Sequence, residues 1–138
     1  MPVRAIKKIL SHKTISQGAI CIRIPDVILN AFKVGSHHEF VCEVKRHFNK
    51  DKKLINEVNE TSSFGSQSHI LLPGRYLVMA ETPLAQKYGL IEGDYIEILF
   101  VAVEEKKKAG LFSRKEDEII RTEIFPERMI EDLDFNPD

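Results

Sequence analysis

Two stretches of the chain alternate apolar residues with other residues in the two-residue period of a half-buried β-strand. One is AICIRI, from Ala19 to Ile24, and the other begins with YIEILF at Tyr95. Similar but looser alternation occurs around residues 3–16, 38–48 and 118–125. The pattern predicts a chain made mostly of strands.

One short helical segment follows the first of these strands, and another precedes the second. Pro83 suits the first position of a helix, where its missing N–H is not needed. Gly89 suits the left-handed residue that ends one. Pro25 begins the corresponding segment in the first half of the chain. We predict helices from Pro25 to about Phe32 and from Pro83 to Tyr88.

The two halves repeat this order of elements at a displacement of 58 residues, which superposes Pro83 on Pro25 and Gly93 on Gly35. A tandem duplication explains this agreement, whereas a chance similarity between two strand–helix–strand stretches is the alternative. The duplication divides the chain into four predicted parts: a first repeat at 1–60, a polar linker at 61–68, a second repeat at 69–125 and a tail at 126–138.

The predicted fold class is mainly β, with two tandem β-β-α-β-β repeats and a short C-terminal helix that begins at Pro126. A repeat of about fifty residues buries too little apolar surface to be stable alone, so the repeats should share one small β-barrel. The residues predicted to be largely buried are Ile20, Ile22, Ile24, Phe40, Val78, Ile96, Ile98 and Phe100.

Composition favours a soluble globular protein, since 43% of the residues are hydrophobic and 30% are charged. No stretch is apolar and long enough to span a membrane, and the N-terminus has no apolar signal core. We therefore expect a cytoplasmic protein. Cys21 and Cys42 fall in predicted strands, where they should serve as small core residues.

Charge is distributed unevenly along the chain. Residues 1–53 contain eleven Lys/Arg and four Asp/Glu, whereas the remainder contains nine Lys/Arg and seventeen Asp/Glu. Such a split suggests a polyanionic partner for the first half or an acidic interaction surface in the second. Attraction between the two halves is an equally simple interpretation.

The residue pattern indicates no catalytic, metal or cofactor site. The five histidines are scattered, and the side chains of His37 and His38 would point to opposite faces of a strand. The glycines lie singly at turns rather than in a phosphate-binding loop. We therefore expect a protein that is not an enzyme and that uses no cofactor.

The proline-helix-turn-strand unit resembles that of the AbrB/MazE/MraZ superfamily, whose repeats form swapped-hairpin barrels. It is also similar to the unit that occurs twice in double-psi β-barrels, and the two topologies remain alternatives. The resemblance extends over about residues 5–125. The residues that carry it are Ile24-Pro25 and Gly35 in the first half, and Pro83, Gly89-Leu90, Gly93-Asp94 and Tyr95-Ile96-Glu97-Ile98 in the second.

The resemblance implies a DNA-binding transcriptional regulator or an antitoxin-like protein, either as a single-chain pseudo-dimer or as a homo-oligomer. Basic residues of the first half would contact duplex DNA, although lysines on edge strands also serve to prevent aggregation. The alternatives are a protein-interaction barrel that uses the acidic second half and tail, and a ligand-binding or enzymatic double-psi barrel. The DNA-binding candidates are Arg4, Lys7, Lys8, Lys13 and Arg23 near the first predicted hairpin, and Lys45, Arg46, Lys50, Lys52 and Lys53 on the second.

The tail combines acidic and apolar residues, which suits docking onto a basic groove of a protein partner. The apolar candidates for such docking are Met129, Ile130, Leu133 and Phe135. Two other interpretations stay open. The tail could cap its own barrel, or its acids could lie beside the basic first half and compete with DNA for it.

Overall fold

A computed structural model of the chain describes residues 3–11, 20–35, 38–68, 74–79, 83–107, 118–124 and 131–137. The described part is mainly β, as predicted, and its sheet curls into a half-barrel. The helices are α1 (Asp26–Ala31) and α2 (Pro83–Tyr88). The strands are β1 (Val3–Lys8), β2 (Leu10–Ser11), β3 (Ile20–Arg23), β4 (His38–Phe48), β5 (Leu54–Ser68), β6 (Arg75–Val78), β7 (Tyr95–Lys107), β8 (Glu118–Glu123) and β9 (Glu131–Leu133).

Both predicted helices are present, and local chemistry explains their ends. Pro25 precedes α1, and its carbonyl accepts the N–H of Ile28 at 3.0 Å. Pro83 occupies the first position of α2. Gly89 follows α2 with a φ of 61°, as a glycine that ends a helix should. Among the described residues, no helix is both long and apolar enough to cross a membrane.

The sheet is organised around the long strands β4, β5 and β7. Neighbouring strands follow the order β2-β3-β6-β5-β4-β7-β1-β9, and β8 pairs with the far part of β7. All pairings are antiparallel except that of β1 with β9. Register shifts interrupt β4 in its pairing with both neighbours, and such bulges increase strand bending and twist.

The core lies inside the curl and under the two helices. Phe40 and Phe100 are fully buried with their rings edge to face at 5.8 Å. The predicted core residues Ile22, Ile24, Phe40, Ile96, Ile98 and Phe100 are all fully buried. Ile20 and Val78 are only half-buried, because each is an end residue of its strand, and Val78 lies on the opposite face of β6 from Leu77, beside Cys21 and Tyr76.

Residues 61–68 are not the loop-like linker that their small polar side chains predicted. They form the second half of β5, which pairs with β4 up to Gly65 and then with β6. Phe64 and Ser66 point inward and are buried, and the Ser66 hydroxyl donates to the Gly35 carbonyl at 3.1 Å. Polar residues are compatible with a strand here because alternate side chains face solvent.

The predicted C-terminal helix is wrong where the tail is described. Residues 131–133 form β9, which lies parallel to β1, and residues 126–130 lie outside the described part of the chain. The Asp134 N–H continues this pairing by donating to the Ile6 carbonyl at 2.8 Å. The strand is favoured because it brings the acids of the tail beside the cations of β1.

Candidate nucleic-acid interface

Glu97 is the common acceptor for two of the predicted DNA-binding arginines. It lies on β7 between β1 and β4 and is 6% exposed. Arg4 Nε donates to Glu97 Oε2 at 2.7 Å, while Arg46 Nε and Nη2 donate to the two carboxylate oxygens at 2.8 and 3.1 Å. Arg4 also reaches Glu131 on β9 at 3.0 Å. Both arginines are thus engaged within the protein.

The charges in this cluster reinforce one another. Burial opposes ionisation of Glu97, but the hydrogen bonds from Arg46 and Arg4 outweigh it, so the pKa of Glu97 lies below its ordinary value. Burial likewise disfavours the Arg4 cation, but hydrogen bonds to Glu97 and Glu131 outweigh it and raise the pKa of Arg4. The cluster therefore links β1, β7 and β4 through hydrogen bonds between charged side chains.

Lys7 is enclosed by the acids of the tail. It is 8% exposed, and its Nζ lies 3.2 Å from Asp132 Oδ2 and 3.8 Å from Asp134 Oδ1. Asp134 Oδ2 also accepts the backbone N–H of Lys8 at 2.7 Å. A phosphate could reach Lys7 only in competition with these carboxylates.

Two further candidates form ion pairs at the surface. Lys45 pairs with Glu43 on the same strand, and Arg23 pairs with Asp26 at 3.2 Å. An alanine-like Cβ at Gly74 would lie 3.1 Å from Arg23 Nε, so the glycine leaves room for this side chain. Ion pairs that solvent can reach contribute little free energy, so a polyanion could compete for both cations.

The remaining described candidates are Lys8, Lys50, Lys52 and Lys53. Within the described part of the chain, none of these four side chains forms an ion pair with an acid. Lys52 Nζ lies 5.8 Å from the centre of the Phe135 ring, within the range of a cation–π contact. Lys13, Met129 and Ile130 lie outside the described residues.

Phe135 joins the two basic segments of the first half. Its ring packs edge to face against Phe48 and Tyr95 at centroid distances of 5.1 and 4.8 Å. Tyr95 also lines an open groove of about 450 Å³. The other residues of this groove are Lys7, Lys8, Leu10, Arg23 and Asp134.

We name this surface the basic end. It consists of the groove cations Lys8 and Arg23, the turn lysines Lys50, Lys52 and Lys53, and the aromatic pair Tyr95–Phe135 between them. Sequence reasoning selected the cations but did not assign Tyr95, Glu97 or Asp134 to a site. The sequence does carry a strand-like signal for Phe135, because Leu133 and Phe135 alternate with Asp132 and Asp134.

A second polar cluster is internal. His47 Nε2 lies 2.7 Å from Asp94 Oδ2, and Asn56 Nδ2 lies 3.2 Å from His47 Nδ1. His47 is 1% exposed, so this network joins β4, β5 and the start of β7 rather than meeting a ligand. Among the described residues, no group of three or more His, Cys, Asp and Glu side chains is placed to hold a metal ion.

No family model, curated protein or solved structure matches this chain.

Proposed function

We propose that this protein binds duplex DNA through the basic end. The observation that carries the proposal is the meeting of two basic segments, Lys8 with Arg23 and the turn at 50–53, on either side of Tyr95 and Phe135. They are far apart in sequence, yet they form one surface. Cations spread over such a surface suit the successive phosphates of a duplex better than one small anion.

The backbone of the lysine-bearing turn supports the proposal. Asn49 Oδ1 accepts the N–H groups of Asp51 and Lys53 at 2.9 and 3.0 Å, which holds the turn in one shape. Lys52 adopts a φ of 65°, a conformation that costs a lysine about 1 kcal/mol relative to glycine or asparagine.

The β4–β5 hairpin gives these lysines a suitable support. Two-stranded ribbons can enter a major groove, where lysines hold phosphates and arginines read guanine edges. In this arrangement Lys50, Lys52 and Lys53 supply affinity for any sequence, and Arg23 is the candidate for base contacts. Arg4, Lys7 and Arg46, which contact acids of the chain, contribute less than the charge distribution predicted.

The test measures binding of a fluorescein-labelled 25-base-pair duplex by anisotropy at 50, 100 and 200 mM salt. The variant Lys50→Gln/Lys52→Asn/Lys53→Gln should weaken binding and reduce the log–log salt slope by about 2.7, since each lost phosphate contact removes about 0.9. Lys87→Gln, which removes one exposed lysine of α2, is the control for loss of a single positive charge outside the basic end, and it should leave the slope unchanged.

The single variant Lys52→Asn separates binding from folding. Asparagine tolerates the left-handed conformation, so the melting temperature should stay equal or rise while DNA affinity falls. Absence of duplex binding at 50 mM salt, or a triple variant with the slope of the parent protein, would refute the proposal.

The finer architecture belongs to the same proposal. We infer two tandem repeats in a swapped-hairpin barrel, with the single chain acting as a pseudo-dimer. The inference is supported by the pairing of β3 with β6 and of β4 with β7, because each pair joins elements displaced by about 58 residues. A cytoplasmic location belongs to the same proposal, and cell fractionation would test it.

A further inference from the structure

Arg75 is an arginine whose buried nitrogen has no partner. It lies on β6, two residues before the fully buried Leu77, so its side chain starts on the face of the strand that meets the main core. Its Nε is buried without a hydrogen bond. Leaving such a donor unsatisfied is costly, and native proteins rarely do so without a reason.

The Arg75 side chain lines an open groove of about 420 Å³ beside the end of α1. Leu29, Phe32 and Val34 form its apolar part and pack partly against the core. Lys33 is exposed at the same groove. Within the described part of the chain, no ion pair involves Arg75 or Lys33. The groove therefore combines an apolar surface with two cations that lack acidic partners there.

We propose that this groove, apart from the basic end, binds a short acidic and apolar peptide segment of a protein partner. A carboxylate would accept two terminal N–H groups of Arg75 side by side, a bidentate geometry that guanidinium groups favour, while the buried Nε stays out of its reach. An apolar side chain next to that carboxylate would cover Leu29, Phe32 and Val34. A DNA backbone would satisfy the cations but would leave this apolar surface in water, which favours a peptide.

A second groove gives the peptide a direction. Phe32 and Lys33 also line a neighbouring cavity of about 250 Å³, which continues to Glu105 and Ile120. Ile120 is 37% exposed on β8. This cavity already holds the carboxylate of Glu105, which lies 3.7 Å from His38 Nε2, so the acidic residue of the peptide belongs at the Arg75 end and an uncharged apolar residue at the Ile120 end.

The probe is a fluorescein-labelled hexapeptide with three glutamates followed by three leucines, measured by anisotropy with the full chain. Its matched controls are the same peptide with glutamines in place of glutamates and the peptide in reversed order. The acidic peptide should bind at least about tenfold more tightly than the neutral one, as expected for loss of a charge-assisted bidentate contact. It should also bind more tightly than the reversed peptide.

Variants assign the contact to individual residues. Arg75→Gln should weaken binding of the acidic peptide about tenfold, and Arg75→Lys should weaken it less, since the charge remains but the fork is lost. Lys33→Gln should weaken it about threefold, whereas Lys50→Gln in the basic end should have no effect. The melting temperature of Arg75→Gln should equal or exceed that of the parent protein, because the variant removes an unsatisfied donor.

Several outcomes would overturn the proposal. Equal binding of the neutral peptide, or unchanged binding by Arg75→Gln, would exclude a carboxylate contact. Displacement of the peptide by inorganic phosphate at equal concentration would indicate a simple anion site. A loss of duplex affinity in Arg75→Gln would assign the groove to the DNA surface, and a change in its elution volume would assign it to self-association. If Arg75→Gln fails to fold, the Lys33→Gln variant and the three peptides decide the question.

Discussion

Removing the negative charge of the tail should make the protein bind DNA more tightly. The variant Glu131→Gln/Asp132→Asn/Asp134→Asn replaces three carboxylates that lie 3.0, 3.2 and 3.8 Å from Arg4 and Lys7. The amides preserve side-chain size, and asparagine at 134 keeps an oxygen that can accept the Lys8 N–H. The packing of Phe135 should therefore persist while Lys7 loses its acidic partners.

The size of the effect follows from counterion release. If freed Lys7 adds one phosphate contact, the log–log salt slope steepens by about 0.9. Taking the two proteins to bind equally at about 1 M salt, the variant then binds about 15-fold more tightly at 50 mM salt and about fourfold more tightly at 200 mM. The cost appears in stability, since Lys7 is 8% exposed and loses its charged partners. We expect the free energy of unfolding to fall by about 1–3 kcal/mol.

The assay is duplex anisotropy over the same salt range, with folding checked by a thermal melt. The control variant Glu39→Gln/Glu104→Gln/Glu123→Gln makes the same change in net charge on strands at the far end of the β4–β7 pair. It should tighten binding much less, because exposed charges beyond a Debye length are screened. No gain of affinity by the tail variant at 50 mM salt, or an equal gain by the control variant, would contradict the prediction.

Three further predictions concern stability and reactivity. Glu97→Gln should lower the free energy of unfolding at pH 7 by about 1–3 kcal/mol. The folded-state pKa of Glu97 lies below the ordinary value of 4.5. Its contribution to the free energy of unfolding is therefore fully present above pH 4.5 and is lost as the pH falls through the folded-state pKa. In urea titrations at decreasing pH, the free energies of unfolding of the parent protein and of Glu97→Gln should therefore converge. A difference that stays constant with pH would contradict the stabilising role of the Glu97 carboxylate. Phe135→Ala should cost about 2 kcal/mol in the same titrations, and Phe135→Leu clearly less, as expected for a half-buried ring. Burial raises the pKa of the Cys21 thiol to about 11 and that of the Cys42 thiol well above its ordinary value. Iodoacetamide at about pH 8 should therefore label neither cysteine in the folded protein and both cysteines in urea. Rapid labelling of the folded protein would contradict this prediction.

Local signals in the sequence predicted the elements that local chemistry determines. Pro25 and Pro83 mark the helices because a proline ring restricts the backbone before any tertiary contact forms. The second predicted hairpin, which carries Lys50, Lys52 and Lys53, does turn at these residues, and the Asn49 side chain accepts two backbone N–H groups of the turn. Burial of Ile96, Ile98 and Phe100 followed from strict alternation.

Features that depend on which strands pair could not be predicted from local sequence in this way. Residues 61–68 read as a linker because serine and threonine are common in loops, and only the register with β4 and β6 shows why Phe64 and Ser66 face inward. The Glu97 cluster joins residues 93 and 51 positions apart in sequence, so it depends on the order of strands rather than on any motif. The same holds for the contact of Lys7 with the tail.

The parallel pairing of β1 with β9 has a consequence for the protein during its synthesis. The two strands join residues that are 127 positions apart in sequence, as Arg4 and Glu131 are. Until residue 134 has left the ribosomal tunnel, β1 lacks this neighbour, and the carboxylates that enclose Lys7 have not yet arrived. A nascent chain therefore presents Arg4 and Lys7 without these carboxylates beside ribosomal RNA, and β9 screens the two cations once it emerges.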